Sequence, residues 1–290
     1  MRGEVIPISE ATIGVTDWGL THADCVYDVV PVWSGAFFRL GDYLTRFEAS
    51  MDAARMDVGI DRRGIKEALH TMVATSGLQK AYVAMVAARG TPMVHGIRDP
   101  RACANHFYAW CVPYVHVIKP ETAETGAAVY LSNMTRRIPE DSVNPLAKNY
   151  HWGDFTQGLF EAKDAGFETV LLPDHEGNVT EGPGFNVFAL KGNTLVTPDR
   201  GVLHGITRRT VLELAVEAGL TVEERALPID ALLEADEVFL SSSGGGVTPV
   251  ARINDRQFSN GAAGPVGLQL RSAYFARLED SRFRTEIAYT

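Results

Sequence analysis

The chain has 290 residues, 46% of them hydrophobic and 22% charged, with a formal net charge of −9. That mix suits a globular protein of one large domain or two smaller ones, and the negative balance argues against nucleic acid or an anionic membrane as partner. No apolar run approaches the ~20 residues of a membrane span. The opening residues lack a charged-then-apolar signal pattern, so the expected location is the cytoplasm. Cys25, Cys103 and Cys111 are odd in number and contain no CxxC pair, which speaks against a disulfide framework or a zinc knuckle. The eight histidines lack the paired spacing of a metal site, and no metal is expected.

In chain order, Glu4–Ile8 reads as a short strand. Residues 27–33 and 36–39 read as extended segments joined by a Ser34-Gly35 turn. Leu44, Phe47, Met51 and Ala54 recur at helical spacing and predict a helix over 41–56. Ile65, Leu69 and Met72 do the same over 61–75. Segments 80–88 and 107–117 read as strands. Between them, 90–100 carries glycine, proline and charge without periodicity and reads as a mobile loop. The polar run 117–125 contains Pro120 and serves as the candidate linker. The expected layout is therefore a smaller N-terminal domain over 1–117, a linker at 118–125 and a larger C-terminal domain over 126–290.

Past the linker, strands are expected at 127–134, 169–173 and 238–240, and helices at 154–165 and 207–218. A turn is expected at 174–178, and a hairpin around Lys191-Gly-Asn193 joins 184–189 to 194–197. Strands mixed with amphipathic helices point to an α/β or α+β architecture.

Four segments carry the chemistry. Asn144-Pro-Leu-Ala-Lys148-Asn-Tyr150-His-Trp152-Gly-Asp154 holds a lone lysine among apolar neighbours, a setting that lowers an amine's pKa and makes it a nucleophile. By itself such a lysine better suits a surface loop. Thr180-Glu181-Gly-Pro-Gly-Phe185-Asn186 sets a carboxylate beside tight-turn residues. Gly205-Ile206-Thr207-Arg208 places a hydroxyl where a helix begins, which is either a plain cap or an anion site. Ser241-Ser242-Ser243-Gly-Gly-Gly246 has the composition of a backbone-amide nest for an anion or of a flexible loop. No Lys-Ser/Thr follows its glycines, so it is no Walker P-loop.

On these four segments the chain resembles the class IV aminotransferases, pyridoxal-phosphate enzymes of the branched-chain and D-amino-acid aminotransferase fold. Within them it is most similar to the (R)-selective amine transaminases. The resemblance runs from about Gly3 to the C-terminus. It implies the two-domain fold-type IV architecture with the cofactor, pyridoxal 5′-phosphate, in the cleft between domains, and a homodimer.

The resemblance also implies roles. Lys148 holds the cofactor's aldehyde and then moves the proton between substrate and cofactor carbons. Glu181 faces the pyridine nitrogen and keeps it protonated, which makes the ring an electron sink. Arg46, Ile206, Thr207 and Ser243 bind the phosphate, with Phe185 and Asn186 also at the cofactor. Tyr43 stands where the family usually has histidine, three residues before the arginine. His22, Tyr27, Val29, Tyr82, Trp152 and Ser242 surround the substrate, with His22 near the entrance and contributed by the partner subunit. The loop 90–104 departs from the pattern: Arg98 and Arg101 are both candidates to receive a substrate carboxylate, neither aligns cleanly, and His95-Gly96 stands at the position in question.

The implied reaction moves an amino group from an (R)-configured amine to a keto acid such as pyruvate. The Trp152-Gly-Asp154 run and the 27–33 strand favour that reading. A D-amino-acid or branched-chain amino-acid aminotransferase is the alternative, followed by a pyridoxal-phosphate lyase such as aminodeoxychorismate lyase.

Overall fold

The computed structural model describes residues 3–94 and 96–289. The chain divides into two compact units: Met1–Val115 with Ala147–Tyr150 and Leu278–Thr290, and His116–Leu146 with His151–Arg277. The expected division had a single boundary at 118–125. Here the first unit also takes back four residues around Lys148 and the C-terminal thirteen. Periodicity could not signal either return, because both are made by single short segments.

Unit 1 is built on strands β1 (Cys25–Trp33), β2 (Ala36–Phe38), β3 (Ala81–Ala88) and β4 (His106–Pro113). With a C-terminal strand, Arg284–Glu286, they form an antiparallel sheet in the order C-terminal strand–β2–β1–β3–β4. Helices α1 (Leu40–Ala54) and α2 (Arg62–Ser76) complete it. Leu40, Tyr43, Leu44, Phe47 and Met51 of α1 are buried. Burying a large apolar side chain contributes roughly 1.5–3 kcal/mol each, so this stripe fixes α1 in place. Asp61 caps α2 by accepting from Gly64 N–H at 2.8 Å.

Unit 2 holds a nine-stranded mixed sheet among the described residues. Its elements are β5 (Ala127–Leu131), α3 (Gly153–Asp164), β6 (Thr169–Leu171), β7 (Glu181–Gly182), β8 (Phe185–Lys191), β9 (Thr194–Thr197), α4 (Ile206–Glu217), β10 (Thr221–Glu224), β11 (Glu237–Ser242), β12 (Gly246–Ile253) and α5 (Pro265–Arg277). The main path runs β10–β9–β8–β11–β12–β5–β6, with β7 paired to β8 and a short ninth strand, Arg256–Gln257, paired to β12. β10 with β9, β12 with β5, and β5 with β6 are parallel. Val129, Leu171, Val187, Val238, Leu240, Val250 and Phe258 lie in its core.

The expected strand at Glu4–Ile8 does not form. Pro7 precedes a 3-10 turn at Ile8–Glu10, and none of Val5, Ile8 or Ile13 is buried. Arg39, expected in a strand, turns into the left-handed region at φ 50 and starts α1. The linker segment contains a helical turn, Thr122–Thr125. The segment 90–104 is tied at its base: Pro92 bridges Cys103, Met93 N–H donates to Ala102 O at 2.9 Å and Ala104 N–H to Thr91 O at 3.0 Å. His95 lies outside the described residues. No helix of the described residues is long and apolar enough to cross a membrane, and none of their His, Cys, Asp and Glu side chains cluster as a metal site.

Candidate active site

In unit 1 the segment Ala147–Tyr150 docks on β1. Tyr27 N–H donates to Lys148 O at 2.9 Å, and Asn149 forms an antiparallel bridge with Val26. Lys148 N–H donates to Ser50 Oγ of α1 at 3.2 Å. The backbone of the lysine is thus held at both polar groups, and its ammonium lies 4.4 Å from the centroid of the Tyr27 ring.

Strand alternation decides what surrounds it. Cys25, Tyr27 and Val29 of β1, Tyr82, Ala84 and Val86 of β3, and Tyr108 and Trp110 of β4 form one apolar cluster with Tyr150. Tyr27 stacks on Tyr150 at 4.4 Å, and Tyr82 on Trp110 at 5.7 Å. Burial pushes the Tyr82 phenol up to about 12 despite the opposing pull of Lys148, and it does the same to Tyr108. Tyr150 moves in the same direction. The lysine therefore sits against neutral rings.

Asp28 points the other way from Tyr27 and Val29 and is fully buried. Arg46 of α1 grips it with a two-pronged pair, Nε to Oδ2 at 2.8 Å and Nη2 to Oδ1 at 2.6 Å. Burial opposes the Arg46 charge, but the Asp28 carboxylate outweighs it and raises the pKa. The expected phosphate arginine thus arrives with a counter-charge, and an anion would share it with Asp28. Tyr43 is its cation–π neighbour at 5.5 Å. Neither Asp28 nor Tyr108 and Trp110 stood out in the sequence, although Asp28 in an otherwise apolar strand was a visible signal.

In unit 2 the Glu181–Asn186 motif folds into the β7–β8 hairpin. Pro183 and Gly184 form its two-residue loop, and Gly184 has φ +81, where a Cβ would be strained. Asn186 is the register partner of Glu181 on one side and of Ser241 on the other. Cross-strand partners share a face, so these three side chains form a row. Phe185, one residue over, turns into the core.

The row holds the next segment of chain. Glu181 Oε2 accepts from Leu203 N–H at 3.0 Å, and Asn186 Nδ2 donates to Leu203 O at 2.8 Å. Gly205 follows, and a Cβ there would sit 2.4 Å from Asn186 Oδ1. Only glycine permits that approach. Helix α4 then starts with no side-chain cap. Thr207 is 2% exposed and its hydroxyl has no partner among the described residues. Open N–H groups and an unengaged buried hydroxyl at one helix start suit an anion such as a phosphate. Ser241 Oγ, also buried, likewise has no partner among the described residues.

Glu181 Oε1 lies 3.3 Å from both Nε and Nη2 of Arg137. Arg137 Nη1 donates to Asp154 Oδ2 at 2.6 Å, and its guanidinium lies 4.3 Å from the Phe155 ring centroid. All three charged side chains are buried. A carboxylate so held accepts hydrogen bonds and donates none, which fits a protonated ring nitrogen.

Ser242 Oγ accepts from Gly244 N–H at 3.1 Å and holds its own turn, where Ser243 sits half-buried. Trp152 packs edge-on to Phe155 at 5.5 Å. His22 is exposed beside Trp18, with Nδ1 2.8 Å from Thr21 Oγ1. Arg101 is paired with Asp99 at 2.6 Å, whereas Arg98 is exposed with no partner among the described residues.

A family model described as amino-transferase class IV matches residues 25–253. The branched-chain-amino-acid aminotransferase of Pseudomonas aeruginosa is 29% identical over 278 residues, which span 94% of this chain and 90% of that protein. The D-alanine aminotransferase of Bacillus licheniformis is 29% identical over 279 residues, 94% of each chain. Among solved structures, the branched-chain amino acid aminotransferase of Thermobaculum terrenum, in its PLP-bound holo-form, matches with a TM-score of 0.86. It is 29% identical and covers 99% of this chain and 96% of its own.

Proposed function

Because the chain belongs to the class IV aminotransferases, an enzyme family whose cofactor is pyridoxal 5′-phosphate, we propose that it transfers the amino group of an (R)-configured primary amine to a keto acid such as pyruvate. The observation that carries this reading is the neutral ring face around Lys148: Tyr27, Tyr82, Tyr108, Trp110 and Tyr150. Such a face suits an apolar or aromatic amine through stacking and burial. Of the arginines singled out in unit 1, Arg46 is paired with Asp28 and Arg101 with Asp99. Arg98 is the candidate to receive the carboxylate of the keto acid. The (R) configuration itself is supported by the sequence resemblance.

The cofactor supplies an electrophilic carbon and a ring that delocalises negative charge. Lys148 would hold that carbon through its amine and would then carry the proton at its Nζ. Glu181 would accept a hydrogen bond from the ring N–H. Ile206 N–H, Thr207 N–H and Thr207 Oγ1 would hold the phosphate at the start of α4, with Ser243 and Arg46 contributing. We also propose a homodimer, supported by the exposed apolar side chains Val5, Ile8, Ile13, Val15 and Leu20 near the N-terminus.

A second reading, a branched-chain or D-amino-acid aminotransferase, is favoured by the names of the relatives. Product analysis separates the two. With pyruvate as acceptor, (R)-1-phenylethylamine should yield acetophenone and alanine, and the (S) amine should yield neither. Turnover of L-leucine or D-alanine with 2-oxoglutarate, and none of either amine, would replace the first reading with the second.

A further inference from the structure

We propose that Arg137 is the positioning residue for Glu181, fixing the plane of its carboxylate so that it presents acceptor oxygens to the ring nitrogen. The inference rests on the reading that Glu181 faces that nitrogen. Arg137 lies in an irregular segment that no sequence pattern marked, yet its side chain is as buried as those of its partners.

The arrangement has three parts. First, Glu181 is held from two directions: the guanidinium takes Oε1 at 3.3 Å, and Leu203 N–H takes Oε2 at 3.0 Å. Two donors on different oxygens stop the carboxylate from rotating. Second, Arg137 is itself immobilised. Its N–H donates to Pro173 O at 2.9 Å, its Nη1 binds Asp154 at 2.6 Å, and its plane lies over Phe155 at 4.3 Å. Asp154 is anchored in turn by Ile138 N–H at 2.9 Å. Third, one guanidinium serves two carboxylates, Asp154 and Glu181. A neutral residue at 137 would leave two buried carboxylates without their shared cation, a costly arrangement. Lysine would keep the charge but lose the planar fork that reaches both partners.

The same network reaches the phosphate-binding turn. Glu181 holds Leu203, and Leu203 leads through Gly205 into Ile206 and Thr207. Arg137 therefore influences both the ring end and the phosphate end of the cofactor through Glu181.

The test is a binding measurement on apo-protein. The affinity for pyridoxal 5′-phosphate is compared with that for its 1-deaza carbocyclic analogue, in which a C–H replaces the ring nitrogen. Wild type should prefer the natural cofactor, and Glu181→Gln should reduce that preference by about tenfold or more, the size of one charge-assisted hydrogen bond. Arg137→Met should reduce it similarly, and the double variant should add little, because both changes remove one interaction. Should Arg137→Met not fold, Arg137→Lys replaces it, with a smaller loss of preference expected. A general structural role would lower affinity for both compounds equally, leave the preference intact and add to Glu181→Gln. Either result overturns the proposal for Arg137. An unchanged preference in Glu181→Gln alone would instead overturn the placement of Glu181 at the ring nitrogen.

Discussion

The surroundings of Lys148 and of Glu181 differ in kind: one is built of neutral rings, the other of charges. Lys148 is set against neutral rings whose phenols hold their protons. Its position comes from backbone hydrogen bonds to Tyr27 and Ser50. Glu181 is set among charges, between the Arg137 guanidinium and a backbone N–H, with Asp154 beyond. The difference suits the roles proposed for them. A lysine proposed as nucleophile gains ring surfaces for an apolar substrate beside it. A carboxylate that must stay ionised in a buried place needs a fixed cation nearby.

The largest effect expected from either region is at Lys148. Lys148→Ala should lower turnover by about a thousandfold or more, in the range of a lost positioned acid–base group, and borohydride should no longer fix the cofactor to the chain. A variant with wild-type turnover would remove Lys148 from the chemistry. Glu181→Gln should come next, slowing the single-turnover amine reaction by about a hundredfold while cofactor still binds. Unchanged single-turnover kinetics would detach Glu181 from the proton shift.

Thr207→Val isolates the anion end of unit 2. Its hydroxyl has no partner among the described residues, so apo-protein should melt at the wild-type temperature. Cofactor affinity should fall by about tenfold, the equivalent of one hydrogen bond to a charged group. Equal affinity by fluorescence titration would move the phosphate elsewhere.

The smallest effect tests the rings of unit 1. Tyr82 and Tyr108 hold their protons up to about 12 in the folded protein against 10.0 for an ordinary phenol. A raised folded pKa contributes stability that is present below the unfolded value and is lost as pH rises through the folded one. Stability should therefore decline as pH rises from 10 toward 12 through these groups. Tyr82→Phe and Tyr108→Phe should each flatten that decline in urea unfolding curves. Identical slopes in wild type and both variants would contradict burial as the cause.

Much of this was legible in the sequence because it is local. The helix α1 showed in the spacing of Leu44, Phe47 and Met51, and the β1–β2 hairpin in Ser34-Gly35 between apolar runs. The Glu181–Asn186 motif announced a tight turn, and the structure forms it. What stayed hidden depends on partners distant in the chain. Nothing in Arg136-Arg137 signals that the second arginine bridges Asp154, 17 residues on, and Glu181, 44 residues on. Arg46 was visible as a cation, but its engagement by Asp28 is set by strand alternation and by where α1 crosses β1. The strand expected at Glu4–Ile8 does not form: the segment carries Pro7 and finds no neighbouring strand among the described residues.

The most direct test of the account is a single-turnover absorbance measurement on the cofactor-loaded protein. (R)-1-phenylethylamine, its (S) enantiomer, D-alanine and L-leucine are mixed separately with enzyme in the absence of any keto acid, and loss of the yellow colour is followed. The account predicts fast bleaching by the (R) amine, alone or with D-alanine, and none by the (S) amine. Bleaching by L-leucine only, or by D-alanine only, would contradict it.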